Sequence, residues 1–271
     1  WRQIAKELGK SKSTVSDYLR KFKNNPEYLQ EVMLPENKPN ILLFDIETSL
    51  IQAYVWGLWK QNISINQVIE DWYVICWSAK WYGDQDVFNS SVHDYELPLC
   101  GRYKDNERYV VEALWKCLDE ADIIVAYNGK SFDRKKMNFK FFEYGLPEPS
   151  PYKLVDPMLI VKGNFSITSA KMDYVARYVE SLESGKHETN INLWVACMNN
   201  DVQSLDYMLS YCDQDIEVLE HVYDAVKHWD KNSPQMMMYY DDDQMRCNSC
   251  GSVHLTKLEN KAAYTLSLIH I

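Results

Sequence analysis

The sequence predicts an α/β domain over residues 40–230, a mixed sheet flanked by helices. Two apolar runs of strand length, Ile41-Leu42-Leu43-Phe44 and Asp122–Tyr127, each end in polar or turn-forming residues. A third run, Trp72–Tyr82, is aromatic and β-branched, the composition that strands favour. Segments with helical spacing, Glu107–Leu118 and about Asp201 to Trp229, alternate with these runs or follow them, as in a sheet covered by helices.

The first strand leads directly into two acids, Asp45 and Glu47. Side chains alternate along a strand, so these two share a side while Ile46 takes the other. Like charges at the end of a buried strand repel and are costly to desolvate unless a cation sits between them. Hard divalent ions with oxygen ligands, Mg²⁺ or Mn²⁺, are the usual answer. On its own an Asp-x-Glu pair reads as a solvated or structural strand end, so a cation site there depends on what else the chain supplies.

Further strands are expected at Ile51–Trp59 and Val87–Ser91. After Tyr127, Asn128-Gly129 turns the chain and Asp133 falls in the first turn of a helix reaching about Gly145. Asp133 there either favours the helix N-terminus or joins the first two acids. Asp156-Pro157 reads as an ordinary N-cap and first-position proline, so Asp156 is taken as structural. Thr168–Val179 is expected to be helical. Ser181–Asn192 is expected to be a polar loop, in which Lys186 and His187 receive no role. On the last long helix Tyr211 and Asp215 lie four apart and share a face, while Asp213 points elsewhere.

Composition bounds the class. With 271 residues, 46% hydrophobic and 25% charged, the chain has one sizeable core with small appendages. No apolar run is long enough to span a bilayer and no signal peptide is evident, so the default compartment is the cytoplasm. Seven scattered cysteines fit reduced thiols there. The net charge of −10 hides an asymmetry, because residues 1–23 carry +5 and leave −15 for the rest. A basic head on an acidic body directs polyanions to the head.

That head reads as helix, tight turn, helix: Ile4, Ala5 and Leu8 form one apolar face, Gly9 ends it, and Ser11 caps the next. It resembles a helix-turn-helix, which would present Lys12, Ser13, Thr14, Ser16 and Arg20 to the major groove. A basic hairpin used only for packing is the plainer alternative. Residues 24–39, with prolines at 26, 35 and 39, form a linker. In the tail, residues 241–265, Cys247-x-x-Cys250-Gly251 resembles the first half of a zinc ribbon whose second pair is missing. Both ends read as cut: the chain starts at Trp1, and Leu266–Ile271 resembles translated sequencing adapter, so it is set aside as an artefact.

Taken in order, F-D-I-E-T on a first strand, N-G-K-S-F-D at a strand-to-helix turn and Y-C-D-Q-D on a late helix form one pattern. It resembles the DEDD (DnaQ-like) exonuclease superfamily, in the branch with tyrosine at the third motif. With the basic head, it is similar to phage and bacterial exonuclease domains of the DNA-polymerase-B type. The resemblance implies an RNase H-like fold and 3′→5′ hydrolysis of a nucleic-acid end by two Mg²⁺ or Mn²⁺ ions. It implies that Asp45 bridges both ions, that Glu47 and Asp215 complete one, and that Asp133 serves the other. Tyr211 is expected to orient the attacking water, and Thr48, Asn128 and Phe132 to contact the terminal nucleotide. DNA is the expected substrate and RNA the alternative, in a bacterial or phage-infected cell. A DNA-binding regulator built on a nuclease scaffold is a third possibility. Zn²⁺ is expected only with a complete tail.

Overall fold

The computed structural model describes residues 39–99, 101–179, 189–240, 244–248, 251–253, 255–257 and 268–270. The helix-turn-helix expectation, with Lys12, Ser13, Thr14, Ser16 and Arg20, lies outside the described residues, as do Lys186, His187 and Cys250. The chain divides into two compact units, residues 39–234 and residues 1–38 with 235–271.

The larger unit runs β1 (Ile41–Thr48), β2 (Gln52–Ala53), β3 (Val68–Glu70), β4 (Val74–Trp81), β5 (Phe88–Ser91), α1 (Glu107–Glu120), β6 (Ile123–Val125), α2 (Asp133–Tyr144), β7 (Lys153–Val155), α3 (Pro157–Asn164), α4 (Met172–Ala176), α5 (Ile191–Met198) and α6 (Val202–Val226). Five strands form one sheet in the order β5-β4-β1-β6-β7. β1 pairs antiparallel with β4 and parallel with β6, so the sheet is mixed and β1 is central. Its apolar run is buried on both faces, which is why four consecutive apolar residues precede the acids.

Strand alternation divides the layers. Leu42, Phe44 and Ile46 join a core with Val110 and Leu114 of α1 and Met137 and Phe141 of α2. The opposite face carries Asp45 and Glu47, whose partners across β4 are Ser78 and Cys76. α6 covers this face and is fixed by polar contacts in step with the strand. Asp213 accepts from Ser78 Oγ at 2.6 Å, Glu220 pairs with Lys80 Nζ at 2.6 Å, and Asp224 accepts from Tyr82 at 2.6 Å. Further along, His93 bridges Ser91 Oγ at 2.7 Å and Asp206 at 2.8 Å, tying the first half of α6 to the end of β5.

Three local expectations change. Only Gln52–Ala53 of the expected strand Ile51–Trp59 is β, pairing with β3 in a separate two-stranded ribbon, because Tyr54 to Trp59 pack against no layer. Of Thr168–Val179 only α4 is helical. Of the expected loop Ser181–Asn192, residues 181–188 lie outside the described residues, and only Ile191 and Asn192 belong instead to α5, whose N-cap Asn190 accepts from the Asn192 N–H at 2.9 Å; that capping signal stood in the sequence. In the smaller unit Cys247 N–H donates to Ser252 O at 2.9 Å and Gly251 N–H to Cys247 O at 2.8 Å, and Cys247 is a free, half-buried thiol. Residues 268–270, set aside above as artefact, pair antiparallel with 255–257.

One buried ion pair binds α1, α2 and β4 together. Lys140 Nζ lies 3.0 Å from Glu107, which also accepts from the Tyr144 hydroxyl at 2.6 Å and the Val74 N–H at 2.7 Å. Removing one partner strands the other charge in the core. Lys140→Met is therefore expected to destabilise the fold by about 3–5 kcal/mol in urea unfolding. A loss below about 1 kcal/mol would show that the pair does not fix these elements.

Candidate active site

Three segments far apart in sequence deliver acids to one end of the sheet. β1 and β4 place Glu47 beside Asp45, just before a register shift between Glu47 and Thr48. α6 brings Asp215, buried, to the same place. One carboxylate oxygen from each of Asp45, Glu47 and Asp215 lies within 4.8 Å of the others, the spacing of a cation cage.

Asp133 arrives from the other layer. β6 ends at Val125, and Asn128 turns the chain in the left-handed region with φ 62°. Gly129 follows where a Cβ would come within 2.4 Å of the Ala126 Cβ, so only glycine fits. Asp156 holds this turn from below. Its carboxylate accepts from the Asn128 N–H at 2.9 Å and the Lys130 N–H at 3.2 Å while capping α3 at Met158, at 3.1 Å. This is the structural role expected of it, extended to the loop that aims Asp133. Asp133 then sits at the start of α2, almost fully buried, its carboxylate accepting from its own N–H and that of Ile46. It stands outside the three-residue cage but next to Asp45.

The charge state records the crowding. Burial and then the charges of Asp133, Glu47 and Asp215 push the Asp45 carboxyl well above the usual range, against a small opposing effect of the Cys212 thiol. Burial likewise lifts Asp133 to about 7, and the hydrogen bonds from the two backbone amides only partly offset it. Asp133 Oδ1 is buried without a hydrogen-bond partner among the described residues. A buried carboxylate oxygen of this kind, beside three converging acids, fits a hard divalent cation.

Tyr211 lies half-buried on α6 and hydrogen-bonds to Asp215, one turn further along. Burial, the Asp215 charge and this bond raise its pKa well above the ordinary value, so the phenol keeps its proton. Asp213, two residues from Asp215, is turned away to Ser78 and Asn89.

Of the residues expected to contact a nucleotide, Thr48 follows the bulge, Asn128 forms the turn, and Phe132 precedes Asp133 and is partly exposed. Two neighbours were not foreseen. Cys212 is buried with its Sγ 3.6 Å from the Asp45 carbonyl oxygen. Trp72 receives the Lys136 ammonium 3.7 Å from its ring centre, and the same ammonium lies 5.1 Å from the Phe132 ring. The i, i+4 spacing of Phe132 and Lys136 was a visible signal, whereas Trp72 is distant in sequence.

The model of the RNase_H superfamily matches residues 87–227, just over half of the chain, taking in Asp133, Tyr211 and Asp215. No curated protein sequence matches the chain. Among solved structures it is similar to the family B DNA polymerase from the hyperthermophilic archaeon Pyrobaculum calidifontis, at 16% identity and a TM-score of 0.48, over 69% of this chain and 24% of the polymerase. The chain thus spans about a quarter of that polymerase. By the extent of the family match, the chain belongs to the RNase_H superfamily.

Proposed function

We propose that this chain is a divalent-metal-dependent 3′→5′ exonuclease acting on single-stranded DNA. The observation that carries this reading is the meeting of Asp45, Glu47 and Asp215 in one cage with Asp133 alongside. Asp45, Glu47 and Asp215 would hold one Mg²⁺ or Mn²⁺, and Asp45 with Asp133 a second. Bound there, such ions lower the pKa of a coordinated water and offset charge on the leaving oxygen.

The chain's own residues supply position. Tyr211 keeps its proton and hydrogen-bonds to Asp215, so it orients the attacking water rather than deprotonating it. Phe132 and Asn128 flank the terminal nucleotide, the ring by stacking, with Thr48 on the other side. DNA is favoured over RNA because residues 1–23 resemble a helix-turn-helix; the acids alone do not distinguish the two. Cys247 and Cys250 would supply two ligands of a Zn²⁺ site in this reading. Among the described residues no helix is long and apolar enough to cross a membrane. A bacterial or phage-infected cytoplasm is the setting that goes with the proposal.

The decisive assay digests 5′-labelled single-stranded DNA and RNA with Mn²⁺ or EDTA. Wild-type protein is expected to produce a ladder shortening from the 3′ end of DNA, abolished by EDTA. Asp45→Ala and Asp215→Asn should each lower the rate by roughly a thousandfold, as expected when several kcal/mol of charge stabilisation is lost. Retention of DNA without any cleavage would instead mark a binding protein on a nuclease scaffold, and a ladder on RNA alone an exoribonuclease.

Tyr211→Phe is expected to slow turnover by about tenfold to a hundredfold while leaving KM and metal affinity unchanged, because only the water's orientation is lost. An unaltered rate would remove Tyr211 from the mechanism.

The raised carboxyl pKa values make a third prediction. A folded-state pKa of about 7 for Asp133, against 3.8 ordinarily, means that the metal-free fold bears no penalty below about pH 4 and loses stability as pH rises from there to 7. The loss is roughly 2–4 kcal/mol. In EDTA, Tm should fall between about pH 4 and 7 and level off above that, and added Mn²⁺ should raise it by an increment that grows over that interval. Asp133→Asn should flatten the EDTA slope; an unchanged slope would separate Asp133 from the acid cluster.

A further inference from the structure

The ribbon of β2 and β3 and the segment between them have no part in the chemistry above. Between Leu50 and Ile69 the only charged residue is Lys60, in a protein of net charge −10. So apolar a stretch ordinarily packs inside. Here Trp56 is 97% and Trp59 84% exposed, with Tyr54 and Leu58 also open to solvent. The arm is nonetheless internally ordered. The Tyr54 N–H donates to Gln67 O at 2.8 Å, Gln67 Nε2 returns a bond to Tyr54 O at 2.8 Å, and Gln61 Nε2 donates to Trp59 O at 2.9 Å. Its base is fixed by Glu70, which is ion-paired to Arg102 and Lys104 and accepts from Gln52 Nε2 at 3.2 Å.

Both ends of the arm leave the sheet where the acids are. β2 begins four residues after Thr48, and β3 returns through Asp71 and Trp72 to β4, where Val74 pairs with Thr48. A run of aromatic and cationic side chains links the two places, since Lys136 lies over both Phe132, next to Asp133, and Trp72, at the arm's base.

We propose that this arm is a stacking platform for the single strand whose 3′ end enters the acid cluster, with Trp56 and Trp59 taking successive bases upstream. The inference rests on the exonuclease reading and adds a second contact region to it. Three features favour a nucleic-acid strand over an apolar protein face. Between Leu50 and Ile69 the arm bears no acidic group to repel phosphates, at its base Arg102, Lys104 and Lys136 outnumber Glu70 and Asp71, and indole rings stack on any base without regard to sequence.

The test uses the full chain with Trp56→Ala and Trp59→Ala combined. These side chains are so exposed that the fold should be unaffected, and Trp56→Phe with Trp59→Phe serves as the conservative control. With Mn²⁺, the alanine variant should cleave a dinucleotide like the wild type. Its KM for a 20-residue oligothymidylate should rise by about tenfold to a hundredfold at unchanged kcat. The phenylalanine variant should recover most of that loss. An unchanged KM for the long strand overturns the proposal, as does a wild-type protein that sediments as a dimer while the alanine variant is monomeric. Should the wild type cleave neither substrate, the exonuclease reading fails by itself. Oligothymidylate binding in EDTA then decides the arm: weaker binding by the alanine variant supports it and equal binding overturns it.

Discussion

Mutual repulsion among buried and half-buried carboxylates is the constraint on which this structure turns. Asp45 is disfavoured as an anion by burial and by three neighbouring acids, yet the backbone leaves it no alternative position. A central strand paired on both sides cannot slide, because a shift of one residue would exchange Leu43 and Asp45 for Phe44 and Ile46 on the α6 face. The cost is therefore built into the sheet's register. Such a local conflict inside a well-satisfied core is characteristic of a functional site, where stability is given up for chemistry.

What holds the acids against their repulsion is the attachment of the elements carrying them. The period of α6 brings Asp213 and Glu220 to Ser78 and Lys80 of β4, and Asp224 to Tyr82 just beyond its end. A helix so fixed can neither rotate Asp215 away nor lift from β1. In the other layer, the Glu107–Lys140 pair secures α2, and Asp156 secures the turn that precedes it. Acids outside the cluster thus fix acids inside it: Asp156 accepts from backbone amides, Glu107 from a backbone amide and side chains of α2, and Asp213, Glu220 and Asp224 from side chains along β4 and just beyond it.

The arm follows a different logic. Other tryptophans of the larger unit reach a backbone partner in the layers: Trp77 donates to Val110 O at 2.8 Å, and Trp115 to Pro147 O at 2.8 Å. Trp56 and Trp59 do not, although their own segment is hydrogen-bonded. Exposed indoles on an ordered support cost little further ordering when a flat ligand arrives, which is the physical advantage of a preformed platform.

Much of this was legible in the order of residues. Alternation along β1 put Asp45 and Glu47 on one side, and the i, i+4 spacing put Tyr211 with Asp215, because both are local geometry set by backbone period. The turn at Asn128-Gly129 and the cap at Asp156 were legible for the same reason. Ile51–Trp59 misled, since β propensity describes fit to a half-buried surface and the chain provides no such surface there. The sequence by itself determined which side chains could share a face within each element. Only the tertiary structure decided that three such faces meet at one end of the sheet, that Asp133 lies outside the cage of Asp45, Glu47 and Asp215, and that two tryptophans stay in water. Those outcomes depend on contacts between residues as far apart as Asp45 and Asp215, and no local period carries that information.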